Sequence, residues 1–266
     1  MSSPFVFNTA TASHVGKVRE INEDGLLARP EIGLWLVADG MGGHGGGDLA
    51  SSAVVAALQT VGEPDSAAGL LNQFEERIIQ VNSDLRALAK SRATQVIGTT
   101  IAAVLVHGSH YACVWCGDSR VYLLRAGALT QISHDHSEVQ DLLDRGILEP
   151  REAKRWPRRN IITRALGVSD QAALEIADGP IQPGDRFLLC SDGLTTHVED
   201  SEIAALLGGD EPQRVCARLI SLTLQRGASD NVSIVVVACD YETRTIRADP
   251  SWRAEAATIV PDRGLG

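Results

Sequence analysis

Residues 99–133 read TTIAAVLVHGSHYACVWCGDSRVYLLRAGALTQIS. Four strand-like runs follow one another here: TTIAAVLV (99–106), HYACVWCGD (110–118), RVYLLRA (120–126) and ALTQIS (128–133). The turns HGS and RAG between successive apolar runs are too short for a crossover helix, so neighbouring strands run antiparallel. Upstream, FVFNTATASH (5–14), DGLLAR (24–29) and LWLVAD (34–39) read as further strands. A Gly-rich turn leads into a helix from Asp48 through Gln59. A longer helix is expected from Ser66 to Lys90, with Leu70, Phe74, Ile78, Val81, Leu85 and Leu88 at helical spacing. Downstream, residues 137–160 break the strand rhythm with short helical patches. Strands follow at 172–177 and 185–191, helices near 200–207 and 212–226, and a closing strand, NVSIVVVAC, at 231–239. Hairpin series with paired helices indicate a layered α+β domain over residues 1–240 rather than repeated βαβ units. The stretch 241–266 is charged, rich in Pro and Gly, and without sustained period, which predicts a loosely ordered tail.

The chain has 266 residues, 44% hydrophobic and 22% charged, enough to bury a sizeable core. Lys and Arg number 24 against 34 Asp and Glu, a formal net charge of −10. That sign disfavours nucleic acid, whose phosphates are gripped by Lys and Arg, and an anionic membrane surface. No apolar run reaches the roughly 20 residues that span a bilayer, and the first residues lack the pattern of a secretory signal. Five cysteines do not suggest a disulfide framework. Cys113 and Cys116 form a C-x-x-C, but on a strand residues three apart face opposite ways, and no second Cys/His pair completes a zinc site. A reduced, cytoplasmic protein is expected.

The aspartates carry more information. LWLVAD-G puts Asp39 at the end of an apolar strand before Gly40, and FLLCSD-G does the same with Asp192 and Gly193. VWCGD-S places Asp118 after another strand, and D-NVSIVVV places Asp230 at the mouth of a fourth. Asn-Glu-Asp at 22–24 opens an earlier strand with Glu23 and Asp24. Any one of these is readily a turn marker. Together they suggest carboxylates converging at strand ends, where cations must neutralise them. With no His or Cys at ligand spacing, the donor set is all oxygen and suits Mg²⁺ or Mn²⁺. Gly40 to Gly45 also fits G-x-G-x-x-G between a strand and a helix, the context of a dinucleotide turn. Against that reading, Asp39 would face the pyrophosphate, and no second strand ending in an acid follows the helix. The glycines are expected instead to let backbone come close to metal and phosphate, Gly40 offering its carbonyl.

These residues resemble a known family. RxxNED at 19–24, DGMGGH at 39–44, GTT at 98–100, GDSRVYLLRAGALTQIS-HDHS at 117–137, ITRALG at 162–167, LLCSDGLT at 188–195 and SDNVSIVVV at 229–237 are similar to the ordered motifs of bacterial metal-dependent protein Ser/Thr phosphatases, the PPM or protein phosphatase 2C family. The resemblance implies a four-layer α-β-β-α sandwich, two antiparallel sheets flanked by helices, with a dinuclear Mn²⁺/Mg²⁺ site at one end. By motif, Asp39 would bridge both ions and the Gly40 carbonyl would bind one. Asp192 and Asp230 would hold the other, and Glu23 and Asp24 would orient bound waters. Asp118 with Asp192 would build a third, weaker site, and Arg19 would grip phosphate, a role a planar guanidinium suits. The implied reaction is direct in-line attack of a metal-bridging hydroxide on phosphoserine or phosphothreonine, with no covalent phosphoenzyme.

One departure bears on proton transfer. Where many eukaryotic relatives place a His two positions after the first Asp, this chain has Met41, which cannot donate. Either His44, another metal-bound water or bulk water then serves as general acid. Residues 137–160 match the family's variable flap, and Arg151, Lys154, Arg155, Arg158 and Arg159 either form a solvated face or steer phosphorylated segments toward the site. The expected partners are phosphorylated proteins, a Ser/Thr kinase and its substrates among them, for a monomeric enzyme that touches neither nucleic acid nor membrane. A catalytically silent phosphoprotein-binding relative and a dinucleotide-dependent oxidoreductase are the competing readings.

Overall fold

In the computed structural model, which describes residues 5–43, 45–92, 96–153 and 155–241, the run Leu34–Val37 buries every side chain. Strand alternation sends Leu34 and Leu36 into one apolar cluster and Trp35 and Val37 into another. A strand buried on both faces reads as an unbroken apolar run, and this is why the central strands were so visible in the sequence.

In chain order the described elements are β1 (Phe5–His14), β2 (Asp24–Arg29), β3 (Leu34–Gly42), α1 (Gly46–Gln59), α2 (Ala67–Ser91), β4 (Ile97–Thr99), β5 (Ile101–His107), β6 (His110–Cys116), β7 (Arg120–Arg125) and β8 (Ala128–Gln131). After them come α3 (Glu138–Asp144), α4 (Pro150–Ala153), β9 (Glu175–Pro180), β10 (Arg186–Cys190), α5 (Asp192–Thr195), α6 (Asp200–Leu207), α7 (Pro212–Gln225) and β11 (Val232–Tyr241). One sheet has the order β1-β11-β10-β7-β8 and the other β2-β3-β5-β6-β9, with β4 added alongside β3. The ladders are antiparallel, as the short turns required.

Three apolar layers hold four structural layers together. Phe187, Leu189 and Val235 from one sheet meet Trp35, Val104 and Cys113 from the other between the sheets. Leu70, Phe74, Ile78, Val81 and Leu85 of α2, with Val54 and Leu58 of α1, pack on the outer face of the second sheet. Ile203, Leu207, Val215 and Leu219 of α6 and α7 cover the first. The expected α-β-β-α sandwich is what forms. The α2 start is set by Ser66, whose Oγ accepts from the Gly69 amide at 3.0 Å.

Three elements depart from their expected limits. The glycine run is a turn only from Gly43: β3 continues through Gly42, and Gly40–Gly42 pair antiparallel with Ile97–Thr99 of β4. The run 99–106 is two strands broken at Thr100, because the Thr100 amide turns to the Asp39 carbonyl at 2.8 Å. The strand expected at 172–177 begins only at Glu175. Of the tail expected over 241–266, Tyr241 closes β11 and the remainder lies outside the described residues. All five cysteines are free and buried, and burial pushes the Cys116, Cys190 and Cys239 thiols up to about 12, which leaves them inert.

Phe187 is fully buried and packs edge-on against Tyr111 at 5.0 Å. Phe187→Ala is expected to cost about 3–5 kcal/mol in urea unfolding. Val18→Ala, at a position 68% exposed, should change stability by less than about 0.5 kcal/mol.

Candidate active site

Antiparallel pairing of β2 and β3 sets Asp24 directly opposite Asp39. Backbone bonds lock that corner: the Gly40 amide donates to the Glu23 carbonyl at 3.1 Å, and the Asp39 amide to Thr100 Oγ1 at 3.1 Å. Gly40 has no room for a side chain. A Cβ there would sit 2.1 Å from the Gly47 carbonyl oxygen and 2.5 Å from that of Glu23. Gly193 plays the same part on the other sheet, where a Cβ would meet the Asn231 carbonyl oxygen at 1.9 Å. These two contacts draw the Asp39 and Asp192 corners tight against their neighbours.

The result is a pocket of about 340 Å³ lined by Arg19, Glu23, Asp39, Gly40, Asp118, Asp192 and Asp230, with Met41, Thr100, Asn160 and Asn231 beside them. Every acid expected at the site is here except Asp24, which stands across the β2–β3 ladder from Asp39. Asp24 Oδ2 accepts from Ser191 Oγ at 2.9 Å, while its buried Oδ1 has no partner. Arg19 reaches the pocket, where its Nη2 donates to Asp230 Oδ2 at 2.7 Å. Glu23 Oε1 accepts from the Gly47 amide at 3.2 Å. His44 and Lys154 lie outside the described residues. In the flap, Arg151 pairs with Glu149 and Arg158 with Glu138, whereas Arg155 and Arg159 have no ion-pair partner among the described residues.

Asn231 was missed as a contributor. The sequence offers it only as the first residue of the closing strand, yet its Oδ1 accepts from the Glu23 amide at 2.8 Å. Its Nδ2 donates to the Val15 and Ile21 carbonyls at 2.9 and 3.0 Å. One carboxamide thereby fastens the loop carrying Arg19 and Glu23 to the loop carrying Asp230. Partners this remote in sequence leave no local signal.

Crowded acids resist ionisation. Burial, then the charges of Asp24, Asp192, Asp118 and Asp230, push Asp39 well above the usual carboxylate range. Burial and the neighbouring acids raise Asp192 to about 8, and burial first raises Asp24 and Asp118 to about 6. The donor chemistry, the unpartnered oxygen of Asp24 and this mutual repulsion fit divalent cations. Among the described residues, no three His, Cys, Asp or Glu side chains close on a single point. That geometry suits ions held by one or two carboxylates with water filling the remaining positions.

Fold and site together define a four-layer domain with a carboxylate-lined pocket. A profile of the protein phosphatase 2C family matches residues 13–209. The serine/threonine protein phosphatase PstP of Mycobacterium tuberculosis is 40% identical over 98% of this chain, and the chain spans about half that relative's length, 51%. Among solved structures, PppA of Pseudomonas aeruginosa superposes with a TM-score of 0.82 at 42% identity, covering 88% of this chain and 97% of PppA. The catalytic domain of Mycobacterium tuberculosis PstP in complex with two manganese ions gives 0.81 at 38%, covering 89% and 99%. The chain belongs to the PPM family of protein Ser/Thr phosphatases, the protein phosphatase 2C family. The antiparallel pairing of the glycine run removes the parallel βαβ setting that a dinucleotide turn needs. No described helix is long and apolar enough to cross a membrane.

Asp24, Asp39, Asp118 and Asp192 hold their protons more tightly folded than unfolded. Their stabilising contribution is complete below about pH 4 and is lost as pH rises through about 6 and then about 8. In chelator, the unfolding temperature is therefore expected to fall from about pH 5 to about pH 8. Mn²⁺ should raise it by more at the higher pH, because the ions bind the ionised acids. Calorimetry across that range checks both, and Asp192→Asn should flatten the metal-free profile.

Proposed function

We propose that the chain is a metal-dependent phosphatase that hydrolyses phosphoserine and phosphothreonine in proteins, opposing a bacterial Ser/Thr kinase. The observation that carries this reading is the convergence of Asp39, Asp118, Asp192 and Asp230, from four separate stretches, in one pocket with Arg19. Asp39 and the Gly40 carbonyl would hold one Mn²⁺ or Mg²⁺ ion, and Asp192 with Asp230 the second, water filling the remaining positions. Glu23 and Asp24 would act through water, and Asp118 with Asp192 would hold a third. Bound there, such ions lower the pKa of water and offset the charge of a phosphomonoester.

The chain's own residues do the rest. Arg19 uses one of its five donors on Asp230, which leaves the others for phosphate oxygens while the ion pair fixes the guanidinium's direction. Asn231 and the Gly40 and Gly193 contacts hold the acids and Arg19 in a fixed constellation, so little reorganisation is needed when substrate binds. Met41 lines the pocket and has no proton to give. The leaving alkoxide is then protonated through water or by His44. The arginines of the flap would draw phosphorylated segments toward the mouth, Arg155 and Arg159 most, since Arg151 and Arg158 are already paired.

Release of phosphate from a phosphothreonine peptide should rise with Mn²⁺ and vanish in chelator, and Asp192→Asn should lower kcat by on the order of a hundredfold or more. A chain that binds the peptide without turnover would instead be a silent binding relative. Arg19→Lys keeps the charge but loses the planar fork, and is expected to lower kcat/KM about tenfold, mainly through KM.

A further inference from the structure

Beside the acidic pocket lies a larger cavity of about 440 Å³. The two adjoin at Asp118, Asn160 and Asp192, which line both. Val139 and Leu143 of α3 and Val198 before α6 supply apolar lining, and Thr196 and Asp200 supply polar lining. A phosphate group has no use for such a space, but the side chain of a neighbouring residue on the same substrate chain does.

The charges around the cavity are unevenly compensated. Asp135, only 8% exposed, accepts from Arg120 Nε at 2.9 and 3.0 Å and from Nη2 at 2.6 Å, so this pair cancels. Arg120 Nη1 also donates to the Tyr122 hydroxyl at 2.9 Å, and that hydroxyl donates onward to Asp200 Oδ1 at 3.1 Å. Tyr122 is buried, and burial raises its pKa, so the hydroxyl remains a donor. A buried relay thereby orients an exposed carboxylate at the cavity wall. Among the described residues no cation pairs with Asp200.

We propose that this cavity receives a basic side chain, Lys or Arg, lying close in sequence to the phosphorylated residue of the substrate. The inference rests on the phosphatase reading and names the substrate class of that site. An apolar wall with a carboxylate suits an aliphatic stem ending in a charge. The net charge of −10 favours approach of basic segments. Arg159, the other cation lining the cavity, is the sequence neighbour of Asn160, which lines both spaces.

The test compares phosphothreonine peptides carrying Arg, Ala or Glu at each flanking position, in the Mn²⁺-loaded enzyme, normalised to each variant's own turnover of an aryl phosphate. Wild type is expected to favour an Arg peptide about three- to tenfold in kcat/KM. Asp200→Asn should abolish the preference and Asp200→Lys turn it toward Glu. A role confined to the start of α6 would move the unfolding temperature and leave the ratios alone, which would overturn the subsite. So would equal turnover of Arg and Ala peptides by wild type, with the phosphatase reading intact. Failure to hydrolyse the aryl phosphate as well would overturn the phosphatase reading, and the subsite with it.

Discussion

The repulsion among half-buried carboxylates at one end of the sandwich is the constraint on which the rest depends. Asp24 and Asp39 face each other across one ladder, and Asp192 and Asp230 arrive from the other sheet. A pair of sheets with three apolar layers holds these acids together against their mutual field; burial first, and that field second, raise the pKa values of Asp39 and Asp192 furthest. Such an arrangement is costly for a bare protein and favourable for one that binds divalent cations.

Close backbone contact is the means of convergence. Gly40 and Gly193 admit carbonyl oxygens where any side chain would collide, and Asn231 fastens three residues of the β1–β2 connection with one carboxamide. These contacts connect the loop of Arg19 to the strand ends, so phosphate binding and metal binding share one scaffold. The flap and the start of α6 border that scaffold from outside, where the neighbouring cavity opens.

Much of the fold was legible because most strands are buried on both faces or paired through short turns. β1, β2 and α6 match their expected limits, while the breaks at Thr100 and the extension of β3 through Gly42 did not show. Both depend on partners distant in the chain: β4 pairs with β3, and Thr100 turns toward Asp39. A glycine run carries turn and strand equally well, and only its neighbour decides. The acids of the site were legible as residues at strand ends, and Arg19 as part of a motif. The contribution of Asn231 was not, since its three partners lie more than two hundred positions away.

Sequence alone determined the layered α+β class, the oxygen-only character of the donor set and the family resemblance, because periodicity, residue chemistry and motif order are local properties. Tertiary structure alone decided that the acids meet, that Arg19 is aimed through Asp230, and that a relay from Arg120 through Tyr122 orients Asp200 beside a second cavity. The physical reason is one of distance. Coulombic coupling and hydrogen bonding act over a few ångströms in space, and separation along the chain does not encode which side chains come that close.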